Sequence, residues 1–262
     1  MWNQPVNQWR LVLDVGNTET DFALFNGNVM RRQGAIPNTL FKNEDDVLPL
    51  LPHSPDQIWV GSVHPKLSNM ILKKCHSQYG KSCHRINHPL PASIRKRIQY
   101  YPVESLGIDR IADVVGGYSL YGGPLLIIDC GTATTLNMVD NHGCFMGGLI
   151  TLGLESWAHA MKERLPHLWQ DMEEIPSRSK QVLAKSTSTA LRAGLWDAYS
   201  SMIEGLVARI EHETNCRNYR LVVTGGWGLK SMKNSRLQIT FNPSLTLLGY
   251  FEIAKEMEKF HE

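Results

Sequence analysis

One short phrase occurs twice in this 262-residue chain, and it limits the possible folds more than any other feature. In each copy an apolar run ends on an aspartate, and one further residue, a glycine and a small polar residue follow. The copies occupy residues 11–18 and 125–132, with Asp14 and Asp129 as their acids. Because each apolar run is too short for a helix, the phrase predicts a buried strand that carries one carboxylate to a turn.

The spacing around the two copies repeats as well. Asp129 lies 115 positions after Asp14, and a turn begins twelve positions after each acid, at Asn26-Gly27 and at Asn141-His142-Gly143. A repeated order of strand, turn, strand and turn predicts an internally duplicated protein. The helix breaker Gly122-Gly123-Pro124 marks the expected boundary, which gives domains at residues 1–122 and 123–262.

Each half shows three consecutive strand patterns, followed by helices and strands in alternation. This order predicts an α/β fold in which each domain is a mixed sheet flanked by helices. Residues 89–102 lack periodicity and are expected to form a loop that carries binding residues. The predicted strands lie near residues 11–14, 20–25, 29–33, 58–63, 85–86, 125–129, 133–139, 144–150 and 220–224, and the longer helices near 66–79, 106–121, 155–165, 187–213 and 245–260.

Composition excludes several classes of protein. A net charge of +2 gives no reason to expect a nucleic-acid partner. No apolar run approaches the ~18 residues that a membrane span needs, and the first residues lack the pattern of a signal peptide, so we expect a cytoplasmic protein. The five cysteines form no C-x-x-C pair and are expected to be reduced thiols. The alternative, a metal site at Cys75-His76 and Cys83-His84, matches no zinc spacing.

The two Asp-x-Gly turns favour a phosphate site. A glycine directly after a strand allows positive φ and close approach of a ligand, and successive N–H groups then form a concave nest for an anion. An aspartate suits the cation that accompanies a phosphate, so two such turns facing each other would hold a nucleoside triphosphate. The alternative is a pair of ordinary hairpin turns capped by aspartate. Additional hydrogen-bond donors are expected from Asn17, Thr18, Thr132, Thr134 and Thr135.

Four motifs follow one another along the chain. They are Asp14-Val15-Gly16-Asn17-Thr18, Gly107-Ile108-Asp109-Arg110, Asp129-Cys130-Gly131-Thr132-Ala133-Thr134-Thr135 and Thr224-Gly225-Gly226. This set and its order resemble those of type III pantothenate kinases, which belong to the acetate and sugar kinase, Hsp70 and actin superfamily, and the similarity covers about residues 11–256. One departure is Leu152, which stands where the family has proline.

The resemblance implies a fold and an activity. The fold would be two duplicated ribonuclease-H-like, or actin-like ATPase, domains with the active site in the cleft between them, in a homodimer. The activity would be ATP-dependent phosphorylation of pantothenate, the first step of coenzyme A biosynthesis, with Mg²⁺ and a monovalent cation, K⁺ or NH₄⁺. These small molecules would be the partners of the chain.

The same resemblance implies residue roles. Asp109 would be the catalytic base, and Asp129 would bind the monovalent cation. The pantothenate site would comprise Tyr100, Gly107, Ile108, Asp109, Arg110 and Thr187, with Tyr100 and Thr187 completing it across the dimer interface. The ATP site would comprise Asp14, Val15, Gly16, Asn17, Thr18, Glu19, Thr20, Asp21 and Thr132.

Alternatives remain open at three of these positions. Arg110 could bind the pantothenate carboxylate or stabilise phosphate charge, or it could only orient Asp109 through a salt bridge. Thr187 could contact substrate, or Thr187 or Ser186 could cap the following helix. Either Tyr100 or Tyr101 could be the tyrosine of the substrate site.

Two alternatives to a pantothenate kinase also remain open. One is a non-catalytic nucleotide-binding regulator of the same fold, and the other is a different sugar or acid kinase of the superfamily. The acids Asp14, Asp109 and Asp129 are all present, which favours an enzyme.

Overall fold

The computed structural model describes residues 8–51, 55–170 and 172–259, which form two compact units. Each unit contains a five-stranded mixed sheet with helices against it. The first unit comprises the described residues up to Gly122, with His142–Met146 and the residues from Ser244 onward. The second comprises Gly123–Asn141 and Gly147–Pro243. The predicted fold class, two mixed sheets flanked by helices, is confirmed.

The first unit is built around its first strand. Its sheet has the order β3-β2-β1-β4-β5, in which β1 runs antiparallel to β2 and parallel to β4. The predicted hairpin turn at Asn26-Gly27 is present, and Gly27 has the positive φ of +57° that favours glycine there. The strands are β1 Trp9–Val15, β2 Glu19–Asn26, β3 Val29–Pro37, β4 Gln57–Ser62 and β5 Cys83–Ile86, and the helices that follow are α1 Val47–Leu50, α2 Pro65–Tyr79, α3 Ala92–Arg95 and α4 Ile108–Tyr121.

The second unit repeats this plan. Its sheet has the order β10-β9-β6-β7-β8, with β6 antiparallel to β7 and parallel to β9. Sequence patterns did not predict β10, because three residues are too few to show a period. The strands are β6 Leu125–Cys130, β7 Ala133–Val139, β8 Phe145–Leu152, β9 Arg220–Thr224 and β10 Ile239–Phe241, and the helices are α5 Leu154–Arg164, α6 Thr187–Thr214 and α7 Gly228–Met232.

The two units differ from the predicted division of the chain in two segments. The last helix, α8 Leu245–Glu258, packs in the first unit against α4. The crossing is close, because a Cβ at Gly249 would lie 1.8 Å from the Ala112 carbonyl oxygen. The second segment, His142–Met146, also belongs to the first unit, where the Phe145 N–H donates to the Arg97 carbonyl at 2.7 Å. Residues 244–262 had been predicted to belong to the second domain, and local patterns do not reveal which sheet a helix will cover.

Candidate active site

The turn after β1 is closed by its own backbone and braced by Asn38. The Gly16 N–H donates to the Glu19 carbonyl at 3.0 Å. The Asn38 amide group donates to the Gly16 carbonyl at 2.9 Å, and its oxygen accepts from the Thr20 hydroxyl at 2.8 Å. The Asn38 N–H also donates to the Thr18 carbonyl at 2.9 Å. Sequence reasoning missed Asn38, because it lies outside the motif and shows no pattern of its own.

The predicted triphosphate residues divide by exposure. The side chains of Asn17, Thr18 and Glu19 are exposed, whereas Val15 and Thr20 are fully buried. Contacts from Val15 or Thr20 to a ligand would therefore come from the backbone. The turn thus exposes three consecutive side chains to solvent, while Asn38 holds its backbone in place.

The expectation of positive φ at the motif glycines is wrong. Neither Gly16 nor Gly131 adopts it in the structure. At Gly16 the constraint is space, because a Cβ there would lie only 3.1 Å from the Glu19 carbonyl oxygen. Gly131 is less confined, since its nearest neighbour would be 3.6 Å from an added Cβ.

Two carboxylates stand side by side at the end of β1. Asp14 is the direct cross-strand partner of Asp21 on β2, and such partners have Cβ atoms about 4.5–5.5 Å apart. Burial, followed by the charge of Glu19, raises the pKa of Asp21 to about 6. Paired carboxylates of this kind fit a divalent cation such as Mg²⁺, which takes carboxylate and phosphate oxygens as ligands.

Asp109 lies in the first turn of α4, and the backbone around it shapes its environment. The Arg110 N–H donates to Asp109 Oδ1 at 2.8 Å. A Cβ at Gly107 would lie 2.5 Å from the same oxygen, so this position leaves no room for a side chain. Burial raises the pKa of Asp109, while the Arg110 N–H and the Arg110 charge oppose that shift. The carboxyl group is therefore partly desolvated and held in place.

Arg110 is buried beside aromatic rings. Only 4% of its surface is exposed, and its guanidinium carbon lies 6.0 Å from the ring centre of Tyr100 and 5.4 Å from that of Phe145. Tyr101, by contrast, is 97% exposed. The structure thus places Tyr100, and not Tyr101, next to the predicted substrate residues.

Three carboxylates of the first unit lie near one buried hydroxyl. Tyr250 on α8 is fully buried, and the charges of Asp14, Asp109 and Asp113 help burial to raise the pKa of its phenol well above 10. Asp113 is held by the Thr246 hydroxyl, which donates to its Oδ1 at 2.8 Å. The predicted ATP-binding acid and the predicted base are therefore close to the same phenol. Sequence reasoning missed Tyr250, because a tyrosine in an apolar helical pattern reads as core.

A cavity of about 380 Å³ lies on another face of α4, within the first unit. Many of its lining residues are aliphatic, and Arg97, Glu252 and Glu256 are its charged lining residues. The residues that line it include neither Asp109 nor Tyr100. The aliphatic part of the lining is formed by Ile94, Ile98, Leu106, Ile111, Val114 and Val115.

In the second unit, Asp129 is surrounded by backbone and hydroxyl groups. Its register partners are Thr135 on β7 and Thr224 on β9. Gly225 adopts a φ of +84°, and a Cβ there would lie 2.4 Å from Asp129 Oδ1. The Thr132 carbonyl of the adjoining turn accepts from the Ser156 hydroxyl at 2.7 Å. This single carboxylate, near neutral oxygens, fits a monovalent cation better than a divalent one.

Two of the hydroxyls predicted to serve an anion in this unit are used inside it. The Thr134 hydroxyl shares a hydrogen bond of 2.5 Å with Tyr199, and the Thr135 hydroxyl accepts from the Asn137 amide at 3.1 Å. Both threonines are buried, because both faces of β7 are covered. The expectation that they add donors to the turn is therefore wrong. Thr132, in contrast, is exposed.

The helix α6 is capped by Ser186. The Ser186 side chain accepts from the Thr189 N–H at 3.3 Å, in a capping box. Thr187 follows in the first turn, with its side chain exposed. Ser186, and not Thr187, is therefore the residue that caps this helix.

The cysteines and membrane patterns add little to the site. All five cysteines are free thiols.

Within the described ranges, no cluster of three or more histidine, cysteine or acidic side chains has the geometry to hold a metal ion. Over the same ranges no helix is long and apolar enough to span a membrane.

Solved structures that resemble this chain define its class. A conserved Baf family protein from Campylobacter jejuni superposes with a TM-score of 0.59 at 19% identity, over 95% of this chain and 99% of that one. An archaeal actin homologue superposes with a TM-score of 0.53 at 11% identity, over 95% of this chain and 99% of that one. With its two mixed sheets, the chain is a protein of the actin-like ATPase fold.

Sequence comparison identifies the family within that class. The model of the type III pantothenate kinase family matches residues 10–209. A type III pantothenate kinase of Agathobacter rectalis is 32% identical over 251 residues, 91% of this chain and 94% of the relative. One of Persephonella marina is 29% identical over 255 residues, 93% of this chain and 97% of the relative. The chain belongs to the type III pantothenate kinase family and is a kinase.

Proposed function

We propose that this protein transfers the γ-phosphoryl group of ATP to the primary hydroxyl of pantothenate, with Asp109 as the base. The observation that carries the proposal is the setting of Asp109 in a chain of this family. Its carboxyl group is partly buried at the start of α4, is fixed by the Arg110 N–H, and has a raised pKa. These are the properties expected of a general base.

In this mechanism Asp109 accepts the proton of the pantothenate hydroxyl as that oxygen attacks phosphorus. Burial raises the pKa of Asp109, which makes its carboxylate a stronger proton acceptor than that of an ordinary aspartate. Proton transfer to a positioned base typically contributes about 10²–10⁴-fold to the rate. Because residue 107 is a glycine, no side chain at that position displaces the Asp109 carboxylate.

We assign Arg110 to the pantothenate carboxylate. Its guanidinium is buried beside Tyr100 and Phe145, so a charge-assisted hydrogen bond there is little weakened by water. The planar ring of Tyr100 supports the flat guanidinium and limits its orientations. In the homodimer that the family resemblance implies, Thr187 of one protomer would complete the pantothenate site of the other, and its exposed hydroxyl is compatible with that role.

The residues Asp14 to Asp21, with Thr132, are assigned to ATP. Bound Mg²⁺ would neutralise phosphate charge, and the paired carboxylates of Asp14 and Asp21 are the residues that would hold it. Asp129 would hold the monovalent cation, because it offers one negative charge among neutral oxygens. These reactants are soluble metabolites, consistent with a cytoplasmic enzyme.

The test is ADP release from the purified protein. We expect release to require ATP, Mg²⁺, pantothenate and K⁺ together, and to fall sharply when Na⁺ replaces K⁺. A panel of alternative hydroxyl acceptors distinguishes pantothenate from other sugar and acid substrates. A protein that binds an ATP analogue but releases no ADP with any acceptor would contradict the proposal and favour a regulatory role.

A further inference from the structure

Tyr250 occupies a position that packing alone does not explain. Its ring lies over Gly61 of β4, where an added Cβ would stand 2.2 Å from a ring carbon. Gly61 is the register partner of Asp14 on the neighbouring strand β1. The space left by the missing side chain at Gly61 therefore lets a residue of α8 reach the acid at the end of β1.

The helix that carries Tyr250 is locked to the helix that carries Asp109. A Cβ at Gly249 would lie 1.8 Å from the Ala112 carbonyl oxygen, and one at Gly116 would lie 2.7 Å from the Leu245 carbonyl oxygen. Backbone contacts this close leave little freedom for α8 to slide along α4. The positions of the phenol and of Asp109 are thus set together.

The Tyr250 hydroxyl is costly to bury as it stands. It is completely buried, and within the described part of the chain it forms no hydrogen bond of regular geometry, although Asp14 is within hydrogen-bonding reach. A buried hydroxyl without a good partner costs free energy that phenylalanine would avoid. A chain selected only for stability would have no use for the oxygen.

We propose that Tyr250 is a positioning residue that acts through Asp14: its hydroxyl donates to the Asp14 carboxylate and orients it for the cation that accompanies ATP. Groups that hold a metal-binding carboxylate from behind typically change metal affinity about 10–100-fold when they are removed. A tyrosine phenol is a neutral hydrogen-bond donor at neutral pH. This inference rests on the proposed function, in which Asp14 serves the Mg²⁺ complex of ATP.

The test compares Tyr250→Phe with Tyr219→Phe. The Tyr219 hydroxyl donates to Glu211 at 2.7 Å, and Tyr219 lies on no element of the proposed site. Binding of Mg²⁺·ADP is measured by calorimetry, together with the melting temperature and the KM for Mg²⁺·ATP. We expect Tyr250→Phe to weaken binding and raise that KM about 10–100-fold with an unchanged or higher melting temperature. We expect Tyr219→Phe to leave binding unchanged.

A double variant distinguishes action through Asp14 from a general disturbance. If Tyr250 acts by orienting Asp14, Asp14→Asn combined with Tyr250→Phe binds no more weakly than Asp14→Asn alone. Unchanged nucleotide binding in Tyr250→Phe, or a variant too unstable to fold, would overturn the proposal, since the hydroxyl would then be dispensable or purely structural. Wild-type turnover of pantothenate tests the proposed function separately, because the calorimetry needs no pantothenate.

Discussion

The two Asp-x-Gly turns begin alike in sequence and end in different surroundings. Both follow the first strand of a mixed sheet, with an antiparallel strand on one side and a parallel strand on the other. Asp14 stands opposite a second carboxylate, Asp21, and near Tyr250. Asp129 stands opposite Thr135 and against the backbone of Gly225. The two units share the form of these strand ends, while the neighbouring side chains differ.

We attribute the proposed difference in bound cation to the number of nearby carboxylates rather than to the motif. Asp14 and Asp21 are direct cross-strand partners, so their negative charges would repel each other, and a divalent cation would relieve that repulsion. Asp129 has no carboxylate among its register partners, and a monovalent cation would neutralise its single charge. The first unit also supplies Asp109, which has no counterpart in the matching motif of the second.

The largest expected effect comes from Asp109. We expect Asp109→Asn to lower kcat by about 10²–10⁴-fold, because the amide cannot accept the hydroxyl proton. Binding of an ATP analogue should persist, since the Asp14 turn is untouched, and calorimetry checks this. Near-normal turnover in this variant would remove Asp109 from the role of base.

The next effect separates the two turns directly. Asp14→Asn should raise the KM for Mg²⁺·ATP by at least about tenfold, because an interaction with an ionic group is lost. Asp129→Asn should instead abolish the difference between K⁺ and Na⁺ in the same assay. Steady-state kinetics over a matrix of both cations measures both variants. If the two variants gave the same cation response, the turns would not differ in role as proposed.

The strand ends were predictable from sequence, whereas their surroundings were not. Asp14 and Asp129 follow short apolar runs, and this local signal survives without any tertiary information. Sheet register and helix packing bring Gly61 and Tyr250 to Asp14, and Asn38 to the turn that follows it. No periodic pattern encodes contacts between residues this far apart in the chain. The burial of Thr134 was missed for a related reason, since a turn motif does not show which strand faces will be covered.

A third prediction tests the backbone that encloses Asp129. Gly225→Ala should destabilise the protein by about 1–3 kcal/mol, because alanine is strained at a φ of +84° and its Cβ would overlap Asp129 Oδ1. Gly131→Ala is the matched control, since its Cβ would meet no atom closer than 3.6 Å. Chemical denaturation gives both values. Equal losses in the two variants would show that Gly225 does not confine Asp129.

The smallest effect is a dependence of stability on pH that arises from Asp109 in the first unit. Burial raises the folded-state pKa of Asp109, so its ionised form is less favourable in the folded protein than in the unfolded chain. The protein is therefore destabilised as pH rises through that pKa, and Asp109→Asn, which stays neutral, should melt at a higher temperature than wild type at pH 7. The advantage should vanish as pH falls below about 4, the ordinary pKa of aspartate, because both proteins are then neutral at this position. Melting curves from pH 3 to pH 8 measure it, and an advantage that did not change with pH would mean that packing, not desolvation of the charge, separates the variants.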